Sequence, residues 1–116
     1  MTKTDCLFCR IIQGEIPSQK VYEDQLVYAF HDIHPQAPTH ILIIPKKHIA
    51  TNLDITETDK DVIGYMFLVA NKLAKQEKID SSGFRAVMNC NRDAGQAVYH
   101  IHLHLLGGRK MSWPPG

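Results

Sequence analysis

A chain of 116 residues, 44% hydrophobic and 22% charged, suits one domain over residues 1–116, with a core that needs no disulfide staple. Its 13 basic side chains nearly cancel its 12 acidic ones, which argues against the positive footprint that duplex nucleic acid or an anionic membrane selects. The odd feature is histidine: seven in all, three of them within residues 100–104.

Residues 6–13 place Phe8, Ile11 and Ile12 at helical spacing, predicting a short helix that ends at Gly14. Val21–Glu23 and Leu26–His31 flank Asp24-Gln25 and read as a hairpin. Pro35 and Pro38 make residues 33–39 a loop. His40–Ile44 is a buried strand closed by Pro45. Thr56-x-x-Asp59 resembles a capping box. Beyond it Val62, Ile63, Met66, Val69, Ala70, Leu73 and Ala74 recur as one apolar stripe of a long helix, with Gly83 as its terminator. Lys72, Lys75 and Lys78 complement the dipole at that helix's end.

Phe84–Asn89 and Val98–Leu106 alternate as strands, joined through a turn at Asn91–Gln96. Strands that follow one another without intervening helices favour antiparallel pairing. The expectation is an α+β layout, one antiparallel sheet with a long helix packed on it.

In a strand, His100, His102 and His104 share one face, with neighbours roughly 6.6–7 Å apart. Three readings fit such a face: an exposed histidine-rich surface, a His₃ metal centre, or a nucleophile with orienting and proton-handling neighbours. Spacing does not choose between the last two.

The wider pattern is more specific. Residues 100–106 read His-Ile-His-Leu-His-Leu-Leu, which resembles the signature of the histidine-triad (HIT) superfamily. Residues 31–40 (HDIHPQAPTH), 95–99 (GQAVY) and the tail 106–116 (LGGRKMSWPPG) are most similar to its Hint branch, the purine nucleoside phosphoramidases. The resemblance implies a HIT-like fold: a five-stranded antiparallel sheet with two helices, dimerising into one ten-stranded sheet. It also implies a purine nucleotide as partner.

By that resemblance His102 is the nucleophile. It attacks the α-phosphorus of an AMP– or GMP–amine conjugate, and water hydrolyses the nucleotidyl-histidine. His40, His100 and His104 are candidates for the proton relay. Backbone N–H groups of Gly95, Gln96, Ala97 and Val98 are candidate phosphate donors, and the Gln96 and Asn89 side chains resemble the family's phosphate contacts. Asp32 matches the ribose-binding acid. Phe8, Ile11, Phe30, Ile33 and Leu42 match positions lining the purine pocket, with ordinary core as the other reading of Ile11 and Leu42. Two readings fit His31, beside Asp32: a contact to the base at the pocket's edge, or a side chain that simply faces solvent. Ala97 replaces a Ser that is common in this branch, and His34, also at a common Ser position, carries no assigned role.

Cys6-x-x-Cys9, the His48 of Pro45-Lys46-Lys47-His48, and His100 match the Cys₂His₂ zinc set of some bacterial HIT proteins. Four protein ligands imply a structural ion, with no cofactor required for catalysis. The other reading is a pair of reduced cysteines packing the first helix; Cys90 simply packs. The N-terminus lacks the charged n-region and 7–15-residue apolar stretch of a signal peptide, and the longest apolar run, Ile41–Ile44, spans no bilayer. Cytoplasm is the expected location. Rival functions are a dinucleoside polyphosphate hydrolase, which the Hint-like tail disfavours, and a non-enzymatic nucleotide-binding adaptor.

Overall fold

Cys6 starts the first helix by accepting a hydrogen bond at Sγ from the Cys9 N–H, 3.4 Å away. The computed structural model describes residues 5–116, so most of the segment read as lacking an export signal lies outside the described residues. Helix α1 runs Leu7–Ile12 and turns Phe8, Cys9 and Ile11 inward. Gly14, with φ 81°, then lets the chain reverse.

Strands β1 (Lys20–Glu23) and β2 (Val27–His31) form the expected hairpin. Its turn is held by Asp24, whose Oδ1 accepts from the Leu26 and Val27 N–H groups at 2.8 and 3.0 Å. Strand β3 (Thr39–Pro45) is buried throughout. With β4 (Phe84–Val87) and β5 (Leu103–Gly107) it completes a five-stranded sheet, ordered β1-β2-β3-β5-β4 and antiparallel at each pairing. The α+β reading holds.

Helix α2 spans Lys60–Gln76. The Thr56–Asp59 capping box opens a 3-10 turn, Glu57–Asp59, that leads into it. Asp59 accepts at Oδ2 from the Thr56 N–H and hydroxyl. Met66, Val69, Ala70, Leu73 and Ala74 are buried against Val27, Ala29, Ile41, Ile43, Leu103 and Leu105 on one sheet face. On the other face α1 packs Phe8, Cys9 and Ile11 against Tyr28, Phe30, Leu42 and Ile44. Two such layers explain why β2 and β3 read as continuous apolar runs.

Three expectations need correction. The long helix ends at Gln76, not Gly83: Lys78 takes φ 61° and the Ile79 N–H bonds the Ala74 carbonyl at 2.9 Å, a Schellman-type closure without glycine. The Asn91–Gln96 turn contains a single-turn helix α3, Asn91–Ala94, closed by Gly95 at φ 85°. The last strand starts at Leu103, not Val98. Its partner β3 ends at Pro45, which has no N–H to continue the ladder. Residues 98–102 are instead tied to the loop after β3 by single bonds, Ile101 N–H to the Ile49 carbonyl (2.8 Å) and His100 Nε2–H to the Pro45 carbonyl (2.8 Å).

Candidate active site

The β3–β5 register sets Leu42 opposite His104 and His40 opposite Leu106. His40 and His104 thus lie diagonally on the face away from α2, and His40 Nε2 is 2.9 Å from His104 Nδ1. The proton positions follow from fixed neighbours. The Gln36 N–H donates to His40 Nδ1 at 3.0 Å, so neutral His40 carries its hydrogen on Nε2. That Nε2–H donates to His104 Nδ1, which puts the His104 hydrogen on Nε2. Asp32 Oδ2 lies 3.4 Å from His40 Nε2, and its Oδ1 accepts from the His34 N–H at 2.8 Å. Asp32, His40 and His104 also sit close enough to share a metal ion. The Gln36 bond opposes that use, because it leaves a hydrogen on the His40 nitrogen that would face the ion.

His102 Nδ1 is 2.9 Å from the His100 carbonyl oxygen, which can only accept. Neutral His102 therefore donates from Nδ1 and keeps a bare lone pair on Nε2. Its ring stacks edge-on against Phe8 (5.1 Å) and lies 4.9 Å from His104. Burial holds the whole cluster neutral. It lowers His102, with partial opposition from the His100 carbonyl and Asp32. Burial, with His102 and His40 adding to it, pushes His104 down to about 4. His40 is lowered by burial against the attraction of Asp32.

A cavity of about 360 Å³ opens in front of these rings. Phe8, Ile11, Phe30, Ile33, Leu42 and His31 line it. So do Asp32, Asn89, Gly95, Ala97 and Val98, beside His102 and His104. Ile33 is 83% exposed and forms part of the mouth. His40 and His100 stand behind the lining, each touching a ring that faces the cavity. The structure also brings Ile16, Pro17, Ser18 and His34 into the wall. No periodicity marks residues 16–18, which arrive there because the Gln19 carbonyl accepts the His31 N–H at 3.0 Å.

Gln96 departs from expectation. It does not line the cavity, and its amide is used within the chain: Nε2 donates to the Ala50 and Val98 carbonyls, while Oε1 accepts from the Asn91 N–H. The Gly95 and Gln96 N–H groups are likewise spent, on Arg92 and Asn91 carbonyls. The backbone donors left for an anion in this turn are those of Ala97 and Val98.

Behind His102, Cys6 Sγ, Cys9 Sγ, His48 Nδ1 and His100 Nδ1 all lie within 4.8 Å of one another. His100 Nδ1 is 3.3 Å from Cys6 Sγ, 3.5 Å from Cys9 Sγ and 3.3 Å from His48 Nδ1. These are edge lengths of a tetrahedron with bonds of about 2.0–2.1 Å, close to the zinc range. His100 donates from Nε2 to the Pro45 carbonyl, so its Nδ1 lone pair faces the cluster, as second-shell bonding of a metal-ligating His requires. Burial drives His100 down to about 4, in line with a neutral ligand. The donor set fits a tetrahedral cation.

A buried row of neutral imidazoles at the end of an antiparallel sheet, one with a bare nitrogen facing a nucleotide-sized cavity, defines a group-transfer site rather than a plain binding face. The HIT domain family model matches residues 13–111, and the chain belongs to that family. It is 54% identical over 107 residues to the purine nucleoside phosphoramidase of Escherichia coli (strain K12), covering 92% of this chain and 90% of that protein. It is 54% identical over 112 residues to the 14 kDa zinc-binding protein of Zea mays, covering 95% and 87%. Among solved structures, the HIT family hydrolase from Legionella pneumophila Philadelphia 1 superposes with a TM-score of 0.95 at 57% identity, covering 97% of this chain and all of that one.

Proposed function

We propose that the chain hydrolyses the P–N bond of purine nucleoside 5′-phosphoramidates, releasing the nucleoside monophosphate and an amine. The observation that carries this reading is the His102–His100 bond, which aims a neutral Nε2 lone pair into the cavity. His102 Nε2 forms a bond to the α-phosphorus as the P–N bond breaks. The amine leaves with a proton, which the His40–His104 pair supplies. An anionic phosphoryl group in the cavity favours charging that otherwise neutral pair. Water then attacks the nucleotidyl-histidine, its proton returns to the pair, and His102 is regenerated. The Ala97 and Val98 N–H groups and the Asn89 amide receive the phosphoryl oxygens. Asp32 accepts from the ribose hydroxyls, and Phe8, Phe30 and Leu42 form the apolar wall for the base.

Cys6, Cys9, His48 and His100 hold a structural zinc ion in this reading, supported by the fit of the donor set and the name of the maize relative. When bound, the ion supplies a cross-link between α1, the loop after β3 and the approach to β5. Strand β4 lies at the sheet edge, paired only to β5, and offers the ladder through which two copies make one ten-stranded sheet. No helix among the described residues is long and apolar enough to cross a membrane. The place of Cys6 and Cys9 in a metal-competent cluster supports a reducing, cytoplasmic setting.

Purified protein supplied with adenosine 5′-phosphoramidate should release AMP, and His102→Ala should stop release while AMP still binds. Wild type that binds AMP but cleaves no phosphoramidate would favour a nucleotide-binding adaptor. Faster cleavage of dinucleoside polyphosphates would favour a polyphosphate hydrolase.

A further inference from the structure

Ser18 carries the one hydroxyl among the described side chains that line the cavity. A file of aromatic rings separates it from His102. His102 is 5.1 Å from Phe8, Phe8 is 5.5 Å from Phe30, and Phe30 is 5.8 Å from Tyr28. The Tyr28 hydroxyl then meets Ser18 Oγ at 2.7 Å. Tyr28 is buried and stays out of the lining, whereas Ser18 is half-buried at the wall. A phenol is a stronger hydrogen-bond donor than an aliphatic hydroxyl. Tyr28 therefore donates to Ser18, and the Ser18 hydrogen and second lone pair remain for whatever enters. The surrounding wall, Phe8, Ile11, Ile16, Pro17, Phe30 and Leu42, offers a base no other polar side-chain atom.

We propose that Ser18, oriented by the Tyr28 hydroxyl, reads the polar edge of the purine farthest from the scissile phosphorus. This rests on the cavity being the nucleotide pocket. Adenine presents on that edge a ring nitrogen acceptor beside an amino donor. Guanine presents a carbonyl acceptor beside an N–H donor. A hydroxyl free both to give and to accept satisfies either, so Ser18 admits both purines. It disfavours a base of the same shape whose edge is apolar, because the Ser18 hydroxyl would then be desolvated without a partner. Ser18 is the contact residue here, and Tyr28 is a positioning residue acting through it.

The experiment is steady-state kinetics of wild type, Ser18→Ala and Tyr28→Phe on 5′-phosphoramidates of adenosine, guanosine and benzimidazole riboside, the last having a fully apolar six-membered ring. Ser18→Ala should raise KM about three- to tenfold on both purines, leave kcat unchanged, and lower KM on the benzimidazole riboside, whose apolar edge no longer strands a hydroxyl. Tyr28→Phe should fall between wild type and Ser18→Ala in KM. Equal KM values for Ser18→Ala and wild type on adenosine overturn the proposal, as does an equal loss on benzimidazole. If wild type binds AMP and cleaves, such a result leaves the pocket reading standing. If wild type binds no purine nucleotide, both fall together.

Discussion

The Nδ1–H of His102 donates to the backbone carbonyl of His100 at 2.9 Å, and this bond leaves the lone pair of neutral His102 on Nε2. The His100 ring meanwhile spends Nε2 on the Pro45 carbonyl and turns Nδ1 to Cys6, Cys9 and His48. One residue thus stands between the His102 imidazole and the metal-competent cluster. Its backbone serves one side and its ring the other.

Because that arrangement fixes donors around His100, loss of a sulfur ligand should first be felt as lost stability. Cys9→Ser should lower zinc content, measured by elemental analysis, from about one ion per chain to near none. Its Tm should fall by about 10 °C relative to zinc-loaded wild type, and chelator should bring wild type to the same Tm. A variant with unchanged Tm and no zinc in either protein would leave the cysteines as plain packing for α1.

Asp32 faces the cavity with a carboxylate anchored on the His34 N–H. Asp32→Asn keeps the shape but replaces a charged acceptor for the ribose hydroxyls. Isothermal titration should show AMP bound about 10-fold or more weakly, with a smaller penalty for the 2′-deoxynucleotide, which has already lost one hydroxyl.

The turn after α3 offers the Ala97 and Val98 N–H groups to an anion, and Ala97 contributes no side-chain donor. Ala97→Ser adds a hydroxyl at the cavity wall next to these groups. It should raise kcat/KM about three- to tenfold on phosphoramidate substrates. Unchanged kinetics would place this position away from the developing charge.

Acid should weaken both rate and stability. Burial holds His104 at about 4, below its ordinary 6.5, and lowers His102 and His40 as well. Between those values the unfolded chain binds protons that the folded chain refuses. Stability is therefore complete above pH 6.5 and declines as pH falls towards 4. Urea midpoints at pH 7.5, 6 and 5 should fall in that order, and His104→Gln should fall less steeply over the same range. Asp24 adds a separate loss only in stronger acid. Burial raises its pKa, but hydrogen bonds from Tyr65, Leu26, Tyr22 and Val27 outweigh that and hold it at about 2.

Much of this was readable from residue order. Ile101, Leu103 and Leu105 alternate with His100, His102 and His104; Leu103 and Leu105 join the core beneath α2, while His102 and His104 line the cavity. The stripe from Met66 to Ala74 packs as its spacing indicates. Long-range backbone partners were not readable. Which nitrogen of His40 holds its hydrogen depends on the Gln36 N–H, and for His100 it depends on the Pro45 carbonyl. Pro45 was seen to close its own strand. That it also shortens β5 follows only from the pairing register. Gln96 looked like an anion contact because side-chain type says nothing of three local acceptors and donors already within reach. Ser18 carried no pattern at all, and only the β2 hairpin returns it to the cavity.

The most direct test of the central claim is rapid quench of a single turnover of adenosine 5′-phosphoramidate, followed by intact-mass and peptide analysis. A transient gain of one adenylyl group on His102, formed and lost at rates that sustain turnover and absent in His102→Ala, is expected. AMP release with no adduct at any time, or an adduct on another residue, would contradict His102 as the nucleophile.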